Sequence, residues 1–389
     1  MPRVAEEGKN KFTRQEFNTY ILPMKTALVH DWLTGMRGGE KCLEVLCELF
    51  PEAPIYTLLH NKGAMSPIIE SKTIMTSFID GLPKKQTHYR SYLPLFPIAI
   101  EQFDLSEFDL VISTSHAVAK GVKVRKDALH ICYCHTPMRY VWEMYDEYFG
   151  KGKTGIGTRA AMSVVAPYLR WWDVRTADRV HYYIANSENV RKRIMDHYHR
   201  DAAVIFPPVD TELFSLSSLD SGYYLMVTAL VPYKRVDLAI DVFNENGKNL
   251  KIVGKGTETE KLRAVAHDNI EFLGWKNDDD LARLYAGCTA LIFPGEEDFG
   301  IVPLEAMASG KPVIAYAKGG ALETVIDGTT GVFFESQSPA SLAAAIEKSV
   351  IIPFDAAAIR AHAMTFSRSI YKERMKEFIE RKLPQHTLT

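Results

Sequence analysis

Short, wholly apolar runs recur along this chain, and between them lie segments whose apolar positions repeat every three or four residues. A run too apolar to alternate reads as a strand buried on both faces, and the three-four repeat reads as an amphipathic helix. In the first half this predicts strands at 25–30 (KTALVH), 55–59, 110–113, 129–134, 181–185 and 203–205. Helices are predicted over 39–49, with Leu43, Leu46, Cys47 and Phe50 on one face, over 159–178, and over 187–199 with Ser187 as N-cap. A second series follows, with strands at 223–228, 250–253, 270–273, 290–293, 312–315 and 331–334. Its helices are predicted over 234–243, 257–266 and 278–286. Strand and helix in alternation predict an α/β protein with doubly wound parallel sheets.

Two such series call for two cores, as does a length of 389 residues. The pattern breaks at Pro207 and Pro208 and across the serine-rich stretch 213–222, which marks the linker. The expected domains are therefore 24–208 and 209–366, with a polar extension over 1–23 and a helical segment over 367–389. Residues 84–97 (KKQTHYRSYLPLFP) mix basic, aromatic and apolar positions without a clean period. They read as an irregular helix pair serving an acceptor surface, a membrane contact or plain structure. In the helix over 159–178, Trp171 and Trp172 are adjacent and cannot share a face, so one is expected inside and one near the surface.

Composition narrows the class. Apolar residues make up 47% of the chain, charged residues 24%, and the net charge is −2, so nothing points to a nucleic-acid partner. No apolar run reaches bilayer length, and the first residues lack the apolar core of a signal peptide; Met24 reads as an alternative start. The five cysteines have neither zinc nor redox spacing and are expected to be buried, reduced thiols, which suits a cytoplasmic protein.

The richest chemistry lies in 293–315, FPGEEDFGIVPLEAMASGKPVIA. A strand end, an acidic glycine loop and a helix opening near Pro303 would leave the N–H groups of Phe299, Gly300 and Ile301 facing outward as an anion site. Glu297 and Glu305 flank it; they read either as hydroxyl-accepting carboxylates or as a solvated loop acid and a capping-box residue. Gly38 and Gly39, after the first strand, read as a phosphate approach or a simple turn. His135 ends a strand, at the edge where such sheets bind ligands. Arg139 either pairs with Glu143 or touches an acceptor. Lys234 and Arg235, at a helix start, oppose the helix dipole and call for a compensating anion. No Asp-x-Asp or clustered histidine announces a metal, so metal-independent chemistry is expected.

The stretch Glu297–Ala315 closely resembles the signature of the retaining glycosyltransferases of family four, and the resemblance extends over most of the chain from Met24. It implies the GT-B arrangement, two Rossmann-like lobes facing across a cleft, with the last helix returning to the first lobe. It further implies that Glu305 binds the ribose of a nucleotide-sugar, that Glu297 and His135 lie beside the transferred sugar, and that Gly38 and Gly39 lie near the donor phosphates. Lys234 matches the family's diphosphate-binding lysine, whereas the arginine usual five positions earlier is Ala229 here; whether Arg235 compensates stays open. The segments HDWL at 30–33, YCHTPMRY at 133–140, VPYKRVD at 231–237 and GGALET at 319–324 look like bacterial mannosyltransferases of this family. That resemblance implies GDP-mannose as donor and a polyprenyl-diphosphate-linked saccharide acceptor, as in lipopolysaccharide O-antigen or exopolysaccharide synthesis, with peripheral contact on the inner face of the cytoplasmic membrane. A UDP-sugar donor, a nucleotide-sugar epimerase and a non-catalytic binding subunit are the competing readings. The base contact expected from the sequence is the loop Trp275, Lys276, Asn277.

Overall fold

Strands buried along their whole length require cover on both faces, and the first half of the chain provides it. The computed structural model describes residues 24–150 and 155–387; the extension expected over 1–23 lies outside them. The first sheet contains β1 (Thr26–His30), β2 (Ile55–Thr57), β3 (Ile74–Thr76), β4 (Leu110–Ser115), β5 (Leu129–Cys134), β6 (Tyr182–Ala185) and β7 (Ala202–Val204), in the order β3-β2-β1-β4-β5-β6-β7. All pairs are parallel, so every connection must cross over a face. Helix α1 (Gly38–Leu49) covers one face with Leu43 and Leu46, and α2 (Ile156–Arg175) helps cover the other with Leu169 and Trp172.

The second sheet contains β8 (Tyr223–Val227), β9 (Asn249–Val253), β10 (Ile270–Gly274), β11 (Leu291–Phe293), β12 (Val313–Tyr316) and β13 (Gly331–Phe334). It is again wholly parallel, in the order β10-β9-β8-β11-β12-β13. Two parallel, doubly wound sheets are the α/β fold that the periodicity predicts. In both, the order reverses beside the first strand, and ligands bind at such switch points beyond the carboxyl strand ends.

The chain crosses between the lobes twice, side by side. Val209 pairs with Ser367 in an isolated bridge, with Val209 N–H donating to Phe366 O at 3.0 Å and Arg368 N–H to Val209 O at 3.2 Å. After the second crossing the final helix (Arg368–Thr387) sends Tyr371, Met375, Phe378 and Ile379 into the first-lobe core beside Leu28 and Leu43. That spacing is one helical face.

Trp172 is 4% exposed and Trp171 55%, the split that adjacent helix positions impose. Residues 84–97 form a short helix (Lys85–His88), a 3-10 segment (Tyr89–Leu95) and the start of a second short helix (Phe96–Glu101). All five cysteines are buried and unpaired. Under α2 lies a buried ion pair: Lys120 Nζ is 3.0 Å from Asp173 Oδ1, and Trp142 and Tyr198 each donate to Asp173 Oδ2 at 2.9 Å. Among the described residues no helix is long and apolar enough to cross a membrane.

Candidate active site

Two helices, one from each lobe, meet N-terminus to N-terminus. They are α1 and the helix after the acidic loop, α3 (Ile301–Ala308). A Cβ on Gly38 would lie 2.7 Å from Ile301 Cδ1, so the two termini touch there and a larger residue at 38 would push the Ile301 side chain aside. Gly300 is the N-cap of α3 with φ +90°, a conformation that a side chain would strain. The helix begins at Ile301, two residues before the opening near Pro303 expected from the sequence, and Phe299 and Gly300 form the loop end that leads into it. Phe299 is buried, stacked on Phe206 with ring centroids 5.4 Å apart. Both helix N-termini carry the positive end of a dipole, and their convergence favours an anion between them.

Lys234 enters the same cleft. It ends a 3-10 turn, Pro232–Lys234, and is not the first residue of the helix that follows (Val236–Asn246). Arg235 breaks the two apart with φ +54°, a left-handed backbone that costs a non-glycine residue on the order of 1 kcal/mol or more. Lys234 is thereby turned onto Glu297, with which it is in direct contact. Burial pulls the Lys234 ammonium down to about 7, and neighbouring Arg139 acts the same way, while Asp298 opposes them. Arg235 points elsewhere: its guanidinium bonds Asp237 at 3.2–3.3 Å and Gln337 Oε1 at 3.2 Å. Arg139 does not pair with Glu143. It reaches Asp298 of the other lobe at 3.1 Å, and Glu143 takes His197 at 2.7 Å and Arg193 at 3.7 Å instead. The reason is the start of the turn at Met138, which aims Arg139 across the cleft rather than along one helical face.

Three neighbouring strand ends of the first lobe each bring a histidine. His135 follows β5, His116 follows β4, and His30 ends β1; the His116 ring is 6.3 Å from that of His135 and 6.2 Å from that of His30. Burial pulls His135 down to about 3, so the ring is neutral. Its Nε2 is buried without a hydrogen-bond partner among the described residues, and a Cβ on Gly39 would lie 3.4 Å from it. The sequence did not single out the group behind it. Asp31 accepts backbone N–H bonds from His116, Ala117, Val118 and Ala119 at 2.6–2.9 Å, and His116 Nδ1 is 3.1 Å away. Burial alone would raise the Asp31 carboxyl, but His116 and these bonds hold it well below the usual range.

Glu305, one turn into α3, accepts from Tyr285 Oη at 2.9 Å. Burial raises its carboxyl, against Lys41 and Tyr285, which lower it. Lys41 belongs to α1 and lies 3.9 Å from Glu305 and 2.9 Å from Asp210; it too escapes sequence reading, because nothing local marks one lysine in an amphipathic helix. On the rim, a cavity of about 450 Å³ opens at the carboxyl ends of β9 and β10, lined by Gly254, Gly256, Thr257, Arg263, Phe272 and Gly274. Trp275 next to it is largely exposed. Among the described residues no three His, Cys, Asp or Glu side chains are grouped to hold a metal ion.

Of the residues singled out in the sequence, the structure brings Gly38, Gly39, His135, Lys234, Glu297, Gly300, Ile301 and Glu305 to one cleft, with Phe299 beneath it and Arg235 turned aside. Residues 61–213 match the family model described as Glycosyltransferase Family 4, and residues 210–363 the one described as Glycosyl transferases group 1. An uncharacterized glycosyltransferase of Methanocaldococcus jannaschii is 32% identical over 46% of this chain and 52% of its own. An alpha-1,3/1,6-mannosyltransferase of Dictyostelium discoideum is 29% identical over 41% of this chain and 43% of its own. The chain spans about half the length of the curated relatives it matches. Among solved structures, Anabaena HepE in complex with UDP and glucose superposes with a TM-score of 0.69 at 19% identity, covering 92% of this chain and 99% of that one, a likeness of fold.

Proposed function

We infer that this chain, a GT-B protein pairing a glycosyltransferase family 4 segment with a glycosyl transferases group 1 segment, moves a hexose from a nucleotide-sugar onto a saccharide acceptor. The observation that carries the reading is the convergence of two helix N-termini, Lys234, Glu305 and an unpartnered His135 Nε2 in one interlobe cleft. A diphosphate between the α1 and α3 termini meets their dipoles and Lys234, which stabilise the charge that grows as it leaves. Glu305 receives a ribose hydroxyl, and the rim cavity beside Gly254 takes the base. The sugar then lies beside His135 and Glu297, facing the first lobe, where the acceptor enters. The bond from the anomeric carbon to the diphosphate breaks, the acceptor oxygen bonds on the same face, and its proton passes to the departing phosphate. Retention follows, and the cations and helix termini serve without a metal.

The donor proposed is GDP-mannose, supported by the resemblance of the 133–140 and 231–237 segments to bacterial mannosyltransferases and by the activity named for the Dictyostelium relative. The acceptor proposed is a polyprenyl-diphosphate-linked saccharide of a cell-surface polysaccharide, met at the cytoplasmic face of the membrane. A peripheral contact is supported by α2, where Val164, Tyr168 and Trp171 are exposed at one-face spacing and Arg175 lies 5.2 Å over the Trp171 ring.

The test is a thermal-shift panel. GDP and GDP-mannose are expected to raise the melting temperature more than UDP, UDP-glucose or ADP-glucose. A larger shift with a uridine nucleotide would overturn the mannose assignment; no shift with any nucleotide would overturn the transferase reading. Transfer is expected to persist in excess chelator.

A further inference from the structure

Lys41 belongs to the first lobe, yet its ammonium serves a carboxylate of the second. It stands in the first turns of α1, and Glu305 stands at the same height in α3, so the helices that touch at Gly38 and Ile301 are spanned again by Lys41 and Glu305 at 3.9 Å. Its closer partner, Asp210 at 2.9 Å, follows Val209 of the interlobe crossing. Arg368, at the second crossing, lies 3.7 Å from the same Asp210 and 2.8 Å from Glu44 of α1. Lys41 is thus placed where both crossings pass the donor carboxylate.

Around Glu305 the second lobe contributes the Tyr285 hydroxyl, with Asp210 and Asp278 as acidic neighbours that work against a second charge. A carboxylate out of water keeps its charge and its place only with a cation or strong donors nearby. Lys41 is that cation, and it travels with the other lobe. We propose that Lys41 is a positioning residue that ties donor affinity to closure of the lobes, holding Glu305 from across the cleft where a ribose hydroxyl is received. The proposal rests on the reading of Glu305 as the ribose site. When the lobes separate, the ammonium leaves with α1, and Glu305 keeps its tyrosine but loses its counter-charge. A donor that engages Glu305 therefore binds the closed form better, and by linkage favours closure.

The competing account makes Lys41 a hinge pin, bound to Asp210 for structure alone. Calorimetric titration of GDP and of UDP into wild type, Lys41→Met, Lys41→Arg, Asp210→Asn, Glu305→Gln and the Lys41→Met/Glu305→Gln double variant separates the two, each variant checked for folding by circular dichroism. Lys41→Met is expected to weaken the preferred nucleotide about tenfold, and Lys41→Arg to recover part of it. The double variant is expected to bind about as Glu305→Gln alone does, the non-additivity of residues acting through one contact. Asp210→Asn is expected to stay within about threefold of wild type. Additive losses in the double variant, or Asp210→Asn matching Lys41→Met, would establish the hinge pin and overturn the proposal. If Lys41→Met does not fold, Lys41→Arg and Asp210→Asn still decide. Wild type binding neither nucleotide would instead remove the donor-site reading, and this proposal with it.

Discussion

Arg139 of the first lobe donates to Asp298 of the second across the cleft, at 3.1 Å, while Arg193 of the first lobe holds the other oxygen of the same carboxylate. A second acid of the same lobe repeats the arrangement: Glu323 accepts the N–H groups of Glu188 and Asn189 at 2.7 and 2.9 Å, at the N-terminus of a first-lobe helix (Glu188–Tyr198). Acids of the second lobe thus grip hydrogen-bond donors of the first, and Asp298 does so beside Lys234. The pairs are partly shielded from water, so they weigh more than surface ion pairs.

Asp298→Asn keeps the shape of the residue and removes its charge. Hydrogen bonds to charged groups contribute about 1.5–3 kcal/mol, so kcat/KM is expected to fall about tenfold or more. Solution scattering is expected to show a larger radius of gyration than wild type in saturating nucleotide. Unchanged scattering and kinetics would show that the pair does not hold the lobes.

The three second-lobe residues at the cleft divide by kinetic signature. Glu305→Ala is expected to raise donor KM about ten- to a hundredfold, because the ribose hydroxyl proposed to meet it is held alike in ground and transition states. Glu297→Ala and Lys234→Ala are expected to lower kcat, since in the proposed reaction both act where charge changes during transfer. With Ala229 in the family arginine's place and Arg235 committed to Asp237, Lys234→Ala should be the most damaging. Steady-state kinetics on folded variants checks this; kcat lost in Glu305→Ala with KM intact would reverse the assignment.

Lys120 and Asp173 provide a stability test away from the cleft. Lys120→Met leaves a buried carboxylate without its cation and is expected to cost about 3–5 kcal/mol. Adding Asp173→Asn should restore a large share, because the orphaned charge is gone. Urea unfolding followed by tryptophan fluorescence measures both, and equal stability of Lys120→Met and wild type would contradict the pairing.

Acid sensitivity should begin well above the carboxylate range. Burial holds His130 and His135 at about 3 in the folded chain, against 6.5 for an ordinary histidine. Between those values the unfolded chain binds protons that the folded one excludes, so stability is full above about pH 6.5. It is lost as pH falls toward 3, by up to about 1.4 kcal/mol per pH unit for each ring. His116 has the opposite sign, raised by Asp31 against burial, and its contribution fades only as pH rises through its folded value. Melting temperature between pH 7.5 and 4.5 should fall less steeply in His130→Gln than in wild type. Identical slopes would show that the ring is not held neutral.

The sequence by itself determined the two parallel sheets, because wholly apolar strands alternating with amphipathic helices have few other ways to bury both faces. It also carried the local parts of the cleft: a strand end for His135, a glycine pair after β1, an acidic loop before α3. Local spacing stops there. Arg139 and Glu143 are four apart and could have paired on one helical face, but the turn at 138–142 sends Arg139 to Asp298, far along the chain. Lys234 and Arg235 are adjacent cations of like prospects until the left-handed backbone at Arg235 turns one to Glu297 and the other to Asp237. Lys41 is an unmarked helix lysine until the lobes bring α1 against α3. Periodicity records which face of an element is buried; which partner fills that face across a cleft is decided only when the lobes pack, because charge and hydrogen-bond energies depend on distance in space.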